Sequence, residues 1–177
     1  MSRYSRTSER ELRERVQDTV VDRVSDAARH DATHDCIDSC LCHNPTNKRI
    51  AELVVQFSDH STRTDAVYVL QCKPRQVSQR VAREELQLQH ESRWVERAQA
   101  ADRLVYVGMS VDLPNRLKQH ARASGSGANF TQMFPAARLL SVQWFHSKSL
   151  AYRAEEITAD VLREQIDDDS IYIAQPG

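Results

Sequence analysis

The sequence lacks the features of a membrane or secreted protein. None of its apolar runs approaches the roughly 20 residues that a helix needs to span a bilayer. The N-terminal residues are highly charged and lack the apolar core of a secretion signal, which favours a cytoplasmic protein. The chain has four cysteines, and disulfides are disfavoured in that compartment. A net charge of −1 gives no overall argument for binding to nucleic acid.

Acidic residues are also missing from one long window. No Asp or Glu lies between Asp112 and Glu155, whereas basic residues are frequent there. The positive residues of this window are Arg116, Lys118, Arg122, Arg138, Lys148 and Arg153, and His120 and His146 lie among them. A local basic field in a nearly neutral chain is expected of a surface that docks a phosphate backbone. A charge cluster on a solvated face would give the same pattern.

Helical periodicity dominates the N-terminal part. Residues 8–29 carry an apolar stripe with a spacing of four, and Ser8 and Glu11 have the spacing of a capping box. The stripe consists of Leu12, Val16, Val20 and Val24. Residues 46–57 have helical spacing as well. We therefore expect residues 1–60 to form an N-terminal helical extension that contains a Cys/His-rich loop.

Strand-like segments begin near residue 65. Residues 66–71 and 103–108 are rich in Val and Tyr and predict strands, and the polar segment 75–101 between them predicts one or two helices. The remaining predicted elements are a helix at 112–122, a strand at 138–146, a helix at 148–165 and a short strand at 171–174. Few strands beside several helices predict an α+β fold, with a small mixed or antiparallel sheet of three or four strands flanked by helices.

Five side chains in these elements have the chemistry of a phosphodiesterase. Cleavage needs an activated water, neutralisation of charge on the phosphate and help for the leaving group. Arg116 offers a planar fork for phosphate oxygens, and His120, one helical turn later, can bind phosphate or relay a proton. Tyr68 and Tyr106 can orient or deprotonate water. Glu155 can hold Mg²⁺, which binds few carboxylates and keeps several waters.

Each of these residues also has an ordinary structural explanation. A tyrosine in a strand most often fills the core, and an arginine on a helix most often lies at the surface. Glu155 differs from the adjacent Glu156 because its helical neighbours are small or apolar. A buried acid is costly unless it has a partner or a function, so we expect the semi-buried functional carboxylate to be that of Glu155.

The order of these residues resembles the motifs of the GIY-YIG nuclease superfamily. Ala66-Val67-Tyr68 stands at the first signature and keeps only its tyrosine, whereas Tyr106-Val107-Gly108 matches the second signature closely. Arg116-Leu117-Lys118-Gln119-His120 matches the RLxxH motif of the following helix. Glu155 follows Ala151 by four residues, as the family's helical glutamate follows its alanine.

The resemblance implies a nuclease domain at residues 61–177 with a helical insertion at 75–101. It implies a metal-dependent endonuclease that hydrolyses DNA phosphodiester bonds, with Mg²⁺ or Mn²⁺ bound by Glu155. The residues with implied catalytic roles are Tyr68, Tyr106, Arg116, His120 and Glu155. The expected DNA contacts are Arg116, Lys118, Arg122, Lys148, and Asn129 and Thr131 of the polar segment Gly125–Gln132, for which a plain loop is the alternative.

The chain departs from the family pattern in three ways. Tyr68 and Tyr106, which are close in sequence in the family, are separated here by the insertion, and the first signature lacks its glycine. The late asparagine is missing, and Gln175 is the candidate replacement. The missing glycine and asparagine favour an alternative in which the chain is a catalytically impaired nucleic-acid-binding module of the same fold, whereas the retained Tyr106, Arg116 and Glu155 oppose it. In a third alternative, the helices within residues 8–57 bind a protein partner.

A cysteine cluster lies in the Cys/His-rich loop. Tetrahedral Zn²⁺ takes four nitrogen or sulfur ligands. The candidate ligands of a structural zinc are Cys36, Cys40, Cys42 and His43. The spacing differs from the CxxC pairs of standard zinc fingers, so reduced thiols with surface histidines are the alternative.

Overall fold

A computed structural model describes residues 7–29, 40–42, 44–87, 93–123 and 128–176. The helices are α1 (Glu9–Val16), α2 (Asp22–Arg29), α3 (Asn47–Gln56), α4 (Gln79–Leu86), α5 (Arg93–Ala100), α6 (Leu113–Arg122), α7 (Asn129–Met133) and α8 (Lys148–Gln165). The strands are β1 (Asp65–Cys72), β2 (Arg103–Ser110), β3 (Ala136–Phe145) and β4 (Ile171–Ala174). A π-helical segment, Gln17–Val21, joins α1 to α2. None of the helices in these ranges is long and apolar enough to cross a membrane.

The described strands form one mixed sheet in the order β3-β1-β2-β4. β1 is antiparallel to β2 and β3, and β4 is parallel to β2. The predicted α+β architecture is confirmed, and the short C-terminal strand is part of the sheet. In the register, Tyr68 lies opposite Gly108 and Leu70 lies opposite Tyr106. Because side chains alternate between the faces of a sheet, Tyr68 and Tyr106 project from the same face.

Helices cover both faces of this sheet. The tyrosine face, which carries Tyr68 and Tyr106, packs against buried residues of α3, α4, α5, α6 and α7. The valine face carries the alternate residues of the same two strands and packs against α1, α2 and α8. Its strand residues are Val67, Val69, Val105 and Val107. The two central strands are therefore buried on both sides, and each face has a core of its own.

The N-terminal stripe packs on the valine face. Ser8 caps α1, and the two hydrogen bonds of the predicted capping box with Glu11 are both present. On an α-helix of 3.6 residues per turn, residues spaced by four drift by about 40° around the helix axis at each step. The wider turn of the π-helical segment offsets this drift and keeps Leu12 and Val24 within one buried cluster. The stripe therefore serves the fold, which weakens the alternative of a partner-binding helix.

The segment between the tyrosine strands leaves the sheet and returns to it. It forms α4 and α5, which pack on the tyrosine face through Ala82, Leu86, Val95 and Ala98. Ser78 caps α4 by accepting a hydrogen bond from the Val81 amide. β1 and β2 remain hydrogen-bonded neighbours despite this long connection. The predicted insertion is thus compatible with adjacent tyrosine strands, while the predicted division into residues 1–60 and 61–177 stays a prediction.

Candidate active site

Gly108 allows the two tyrosines to meet. A Cβ atom at this position would lie 2.6 Å from the Tyr68 hydroxyl oxygen and 2.7 Å from Cε1 of Tyr106. Both distances are far below van der Waals contact, so no other residue fits here without displacing a ring. The centroids of the two rings are 6.5 Å apart. The glycine of the second signature therefore provides space between two phenols.

A buried hydrogen-bond chain starts at Tyr68. Its hydroxyl lies 2.7 Å from Nε2 of His120, and Nδ1 of His120 lies 2.6 Å from the Thr131 hydroxyl. Thr131 in turn donates to the carbonyl of Ala128 at 3.2 Å. With its proton given to Ala128, the Thr131 oxygen accepts from Nδ1–H of His120. Nε2 is then the bare nitrogen, and the Tyr68 hydroxyl donates to it.

His120 is neutral in this arrangement. Burial, and after it the positive charge of Arg116, lower the pKa of His120 to about 3. The side chain is fully buried on α6, one helical turn after Arg116. An uncharged imidazole in contact with a phenol is a proton acceptor at neutral pH.

Arg116 faces both phenols. Asp112 caps α6 by accepting from the Asn115 amide at 3.3 Å, which fixes the start of the helix that carries Arg116. Burial lowers the pKa of Arg116, but attraction to Tyr68 and Tyr106 outweighs burial and the net shift is upward. The guanidinium is half-buried and lines an open cavity. It is therefore both close to the phenols and accessible to a phosphate.

Both phenols are protonated at neutral pH. Burial raises the pKa of Tyr68, although Arg116 opposes this shift. Burial, and then Tyr68, raise the pKa of Tyr106. The Tyr106 hydroxyl is buried and has no hydrogen-bond partner within the described ranges. An unsatisfied buried hydroxyl is costly, which fits a group that awaits a ligand.

Glu155 is the buried carboxylate and Glu156 is exposed, as the sequence predicts. Although α8 covers the valine face, the charge of Glu155 acts on both phenols and is attracted by Arg116. Burial, and then repulsion from Glu156, raise the pKa of Glu155 to about 7. Its Oε1 atom has no hydrogen-bond partner among the residues that the structure describes. A divalent cation would satisfy this oxygen and restore the charged form, so the residue fits a metal ligand.

The predicted DNA contacts lie in different environments. Arg122 is exposed, and its Nε donates to Asn44 at 2.6 Å. Lys148 is exposed, with its ammonium 5.5 Å from the centre of the Tyr152 ring. Lys118 is half-buried beside Asp112, and Asn129 is exposed at the start of α7. All four residues therefore remain proposed contacts with DNA.

Thr131 does not fit the predicted contact with the DNA backbone. Its side chain is fully buried, and its hydroxyl is occupied by His120 and the carbonyl of Ala128. Burial prevents any contact with a phosphate, so the residue positions His120 instead. No local sequence pattern indicates this role, because Thr131 lies outside the helix that carries His120 and meets it only through packing.

A cavity of about 500 Å³ lies beside Tyr106 and Arg116. It is lined by Trp94, Tyr106, Arg116, Ala128, Asn129, Phe130, Arg163, Tyr172, Ile173, Ala174, Gln175 and Pro176. Gln175, the candidate replacement for the late asparagine, lies here and accepts a hydrogen bond from Arg163 at 3.3 Å. The residues come from many elements, so no local pattern could reveal them.

The structure describes only two of the four predicted zinc ligands. Cys36 and His43 lie outside the described residues. Cys40 and Cys42 are half-buried thiols along the edge of β3, where Cys40 pairs with Arg138 and the Leu41 amide donates to Ala137. Within the described ranges, no group of three or more His, Cys, Asp or Glu residues could hold a metal. The zinc site stays a prediction.

Comparison with known families identifies a match over the central part of the chain. A family model described as the GIY-YIG catalytic domain matches residues 79–166. The match contains Tyr106, Arg116, His120 and Glu155. It begins after β1, so Tyr68 joins this group through the sheet register and its hydrogen bond to His120. No match was found among curated proteins or among solved structures.

Proposed function

Because this chain belongs to the GIY-YIG superfamily, we propose that it is a metal-dependent endonuclease that hydrolyses DNA phosphodiester bonds. The observation that carries the proposal is the buried group around Gly108. Two phenols, a neutral imidazole and a half-buried guanidinium meet there, and the charge of the orphaned Glu155 carboxylate reaches them. A purely structural core has no need for this concentration of costly polar groups.

Arg116 binds the phosphate. Its planar fork matches two phosphate oxygens, and its half-buried position strengthens the attraction relative to open solvent. The guanidinium holds the scissile phosphate within reach of the Tyr68 and Tyr106 hydroxyls, because it already faces both. The Tyr106 hydroxyl, which lacks a partner within the described part of the chain, donates to a phosphate oxygen.

Tyr68 and His120 handle the proton of the attacking water. A phenol with a raised pKa is a poor base unless its own proton moves elsewhere. Nε2 of His120 accepts that proton as the Tyr68 oxygen takes one from water. The approaching phosphate raises the pKa of His120 through its negative charge, which favours this transfer. Thr131 holds Nδ1 and so keeps Nε2 aimed at the phenol.

Glu155 holds the divalent cation. GIY-YIG nucleases are generally dependent on a divalent metal, and one carboxylate is sufficient for an ion such as Mg²⁺ that keeps several waters. When bound, this ion neutralises charge on the phosphate and on the leaving oxygen. Oε1 of Glu155 is buried on α8 and has no hydrogen-bond partner among the described residues, so we assign this oxygen to the ion.

Cleavage assays test this function. We expect the protein to nick or linearise DNA from a panel of plasmid, duplex, flap and bulged substrates with Mg²⁺ or Mn²⁺, and to be inactive in EDTA. Arg116→Lys keeps the charge but loses the fork, so it should reduce cleavage far more than Arg122→Lys, whose side chain is exposed. DNA binding without cleavage on every substrate and with both metals would favour the non-catalytic binding module instead.

A further inference from the structure

We propose that the cavity beside Tyr106 and Arg116 binds one unpaired nucleobase next to the scissile phosphate, so that DNA with an unpaired nucleotide at the cleavage position is the substrate class. This inference rests on the proposed nuclease function and extends it to substrate choice. It assigns a role to Trp94, Phe130 and Tyr172, which the catalytic group does not use.

Aromatic rings form the walls of the cavity. The chain has only 6% aromatic residues, yet Trp94, Tyr106, Phe130 and Tyr172 all line this one space. The rings of Tyr106 and Phe130 are stacked with centroids 5.9 Å apart, and those of Phe130 and Tyr172 are stacked at 6.0 Å. Trp94 lies 5.7 Å from Phe130. Aromatic platforms of this kind hold single bases by stacking.

Two of the four rings are only partly covered by the protein. Phe130 and Tyr106 are buried, whereas Trp94 and Tyr172 are half-buried and leave part of their surface open to the cavity. The volume of about 500 Å³ lies within the range of sites for small organic ligands. The site is therefore large enough for a flat heterocycle and has exposed ring surface to receive it.

Polar groups lie at the rim where the edge of a base would sit. Asn129 is exposed there, and Gln175 is held by the hydrogen bond from Arg163. Arg163 also donates to the carbonyl of Ile173 at 3.3 Å, which anchors it to β4. Amide and guanidinium groups supply both donors and acceptors, as recognition of a base edge requires.

The cavity shares two residues with the catalytic group. Tyr106 and Arg116 line the cavity and also face Tyr68, so a phosphate on Arg116 and a base in the cavity belong to the same or adjacent nucleotides. A base within a paired duplex is stacked on both sides and cannot enter. An unpaired base has little or no pairing to lose, which makes it the favoured occupant.

The insertion supplies one wall of this site. Trp94 lies on α5, within the segment that separates the two tyrosine strands. The same segment that departs from the family spacing therefore places an indole beside the candidate catalytic residues. This placement makes substrate choice a property of the insertion.

The test measures binding without metal, using the full chain in EDTA. The probes are a duplex with one unpaired 2-aminopurine and a duplex in which the same base is paired. We expect the unpaired probe to bind more tightly by roughly 5- to 150-fold, which is the range that one base–aromatic stack provides. Its 2-aminopurine emission should fall on binding, because the base stacks on protein rings.

Trp94→Ala should remove most of this preference, and Trp94→Phe should retain part of it. Trp144→Phe is the matched control, because Trp144 lies on β3 outside the cavity. Equal affinity of the wild type for both probes, with unchanged emission, would overturn the base site even if the protein cleaves DNA. A preference that survives in a folded Trp94→Ala variant would also overturn it. Quenching and preference without any cleavage would support the base site and refute the nuclease function.

Discussion

The two faces of the sheet differ although the same two strands build both. On β1 and β2, the residues facing α8 include Val67, Val69, Val105 and Val107, whereas the alternate residues facing α6 include Tyr68 and Tyr106. The valine face closes the N-terminal helices onto the sheet and is mainly apolar, although it also buries Gln71 and Gln143. The tyrosine face buries hydroxyls, an imidazole and an open cavity. Most of the candidate catalytic side chains and the cavity therefore lie on the tyrosine face.

Glu155 is a candidate site residue that does not lie on the tyrosine face. It lies on α8, a helix of the valine face, yet its charge is felt by the phenols of the opposite face. The helix therefore contributes apolar residues to one core and a carboxylate to the candidate site. Variants that separate these two contributions test the comparison most directly.

The largest effect is expected from Glu155→Ala. It removes the carboxylate that we assign to the divalent cation, so cleavage should fall by roughly 100-fold or more. DNA binding in EDTA should persist or tighten slightly, because a negative charge has been removed. Cleavage and binding assays run in parallel provide the measurement. Glu156→Ala, at the adjacent exposed position, should change little, and an inactive Glu156→Ala would transfer the metal role to that residue.

Gly108→Ala and Val107→Ala compare the two faces at neighbouring positions of β2. The Cβ of Gly108→Ala collides with both phenols, so cleavage should fall by about 10-fold or more, with a loss of roughly 1–3 kcal/mol in stability. Val107→Ala leaves a space on the valine face and should lower the free energy of unfolding by roughly 2 kcal/mol. The activity per folded molecule should change little. Chemical denaturation and cleavage rates check both. Equal losses of activity in Gly108→Ala and Val107→Ala would contradict the assignment of the candidate site to the tyrosine face.

Thr131→Val should lower cleavage by roughly 10-fold. The substitution keeps the shape of the side chain but removes the oxygen that accepts from Nδ1 of His120, so the imidazole can adopt the wrong tautomer. Thr131→Ser keeps a hydroxyl at this position and should retain most of the wild-type activity. DNA binding in EDTA should stay the same in both variants, since the residue is fully buried. Weaker binding by Thr131→Val with an unchanged cleavage rate would instead indicate a contact with DNA.

A smaller effect is expected from Arg122→Ala. If its exposed guanidinium contacts one phosphate, its loss should reduce the log–log salt slope of duplex affinity by about 0.9. Titrations at several salt concentrations measure this slope. Arg10→Ala, on the exposed side of α1, is a control of equal charge change and should leave the slope unaltered. Identical slopes in the two variants would place Arg122 outside the DNA interface.

A further effect is expected in the dependence of stability on pH. The pKa of Glu155 is raised from 4.5 to about 7, so between these values the folded state binds more protons than the unfolded state. Glu155 therefore makes the free energy of unfolding decrease as pH rises through this window. The pKa of His120 is lowered from 6.5 to about 3, so between these values the unfolded state binds more protons than the folded state. In that range His120 makes the free energy of unfolding increase as pH rises. Thermal unfolding of the wild type and of Glu155→Gln should be measured across this pH range. The difference between the two pH profiles gives the contribution of Glu155 to the pH dependence of stability. Parallel profiles would contradict this contribution.

Local patterns determined the elements and part of the candidate site. Ser8 caps a helix as the sequence predicts, and Thr46 and Asp112 cap helices that begin near the predicted starts of the segments 46–57 and 112–122, because an N-cap depends only on the next three residues. The spacing of Arg116 and His120, and the choice of Glu155 over Glu156, follow from the geometry of a single helix. Such features are readable from the sequence because the residues involved are near neighbours in the chain.

Only the tertiary structure decided how distant residues meet. The register of β1 against β2 places Tyr68 opposite Gly108 across a long insertion, and packing brings Thr131 to His120. The aromatic cavity likewise draws Trp94 and Tyr172 from elements far apart in sequence. These contacts depend on complementary packing and strand pairing between remote segments, and no spacing along the chain encodes them. The sequence therefore determined which groups are available for chemistry, and the fold decided which of them share a site.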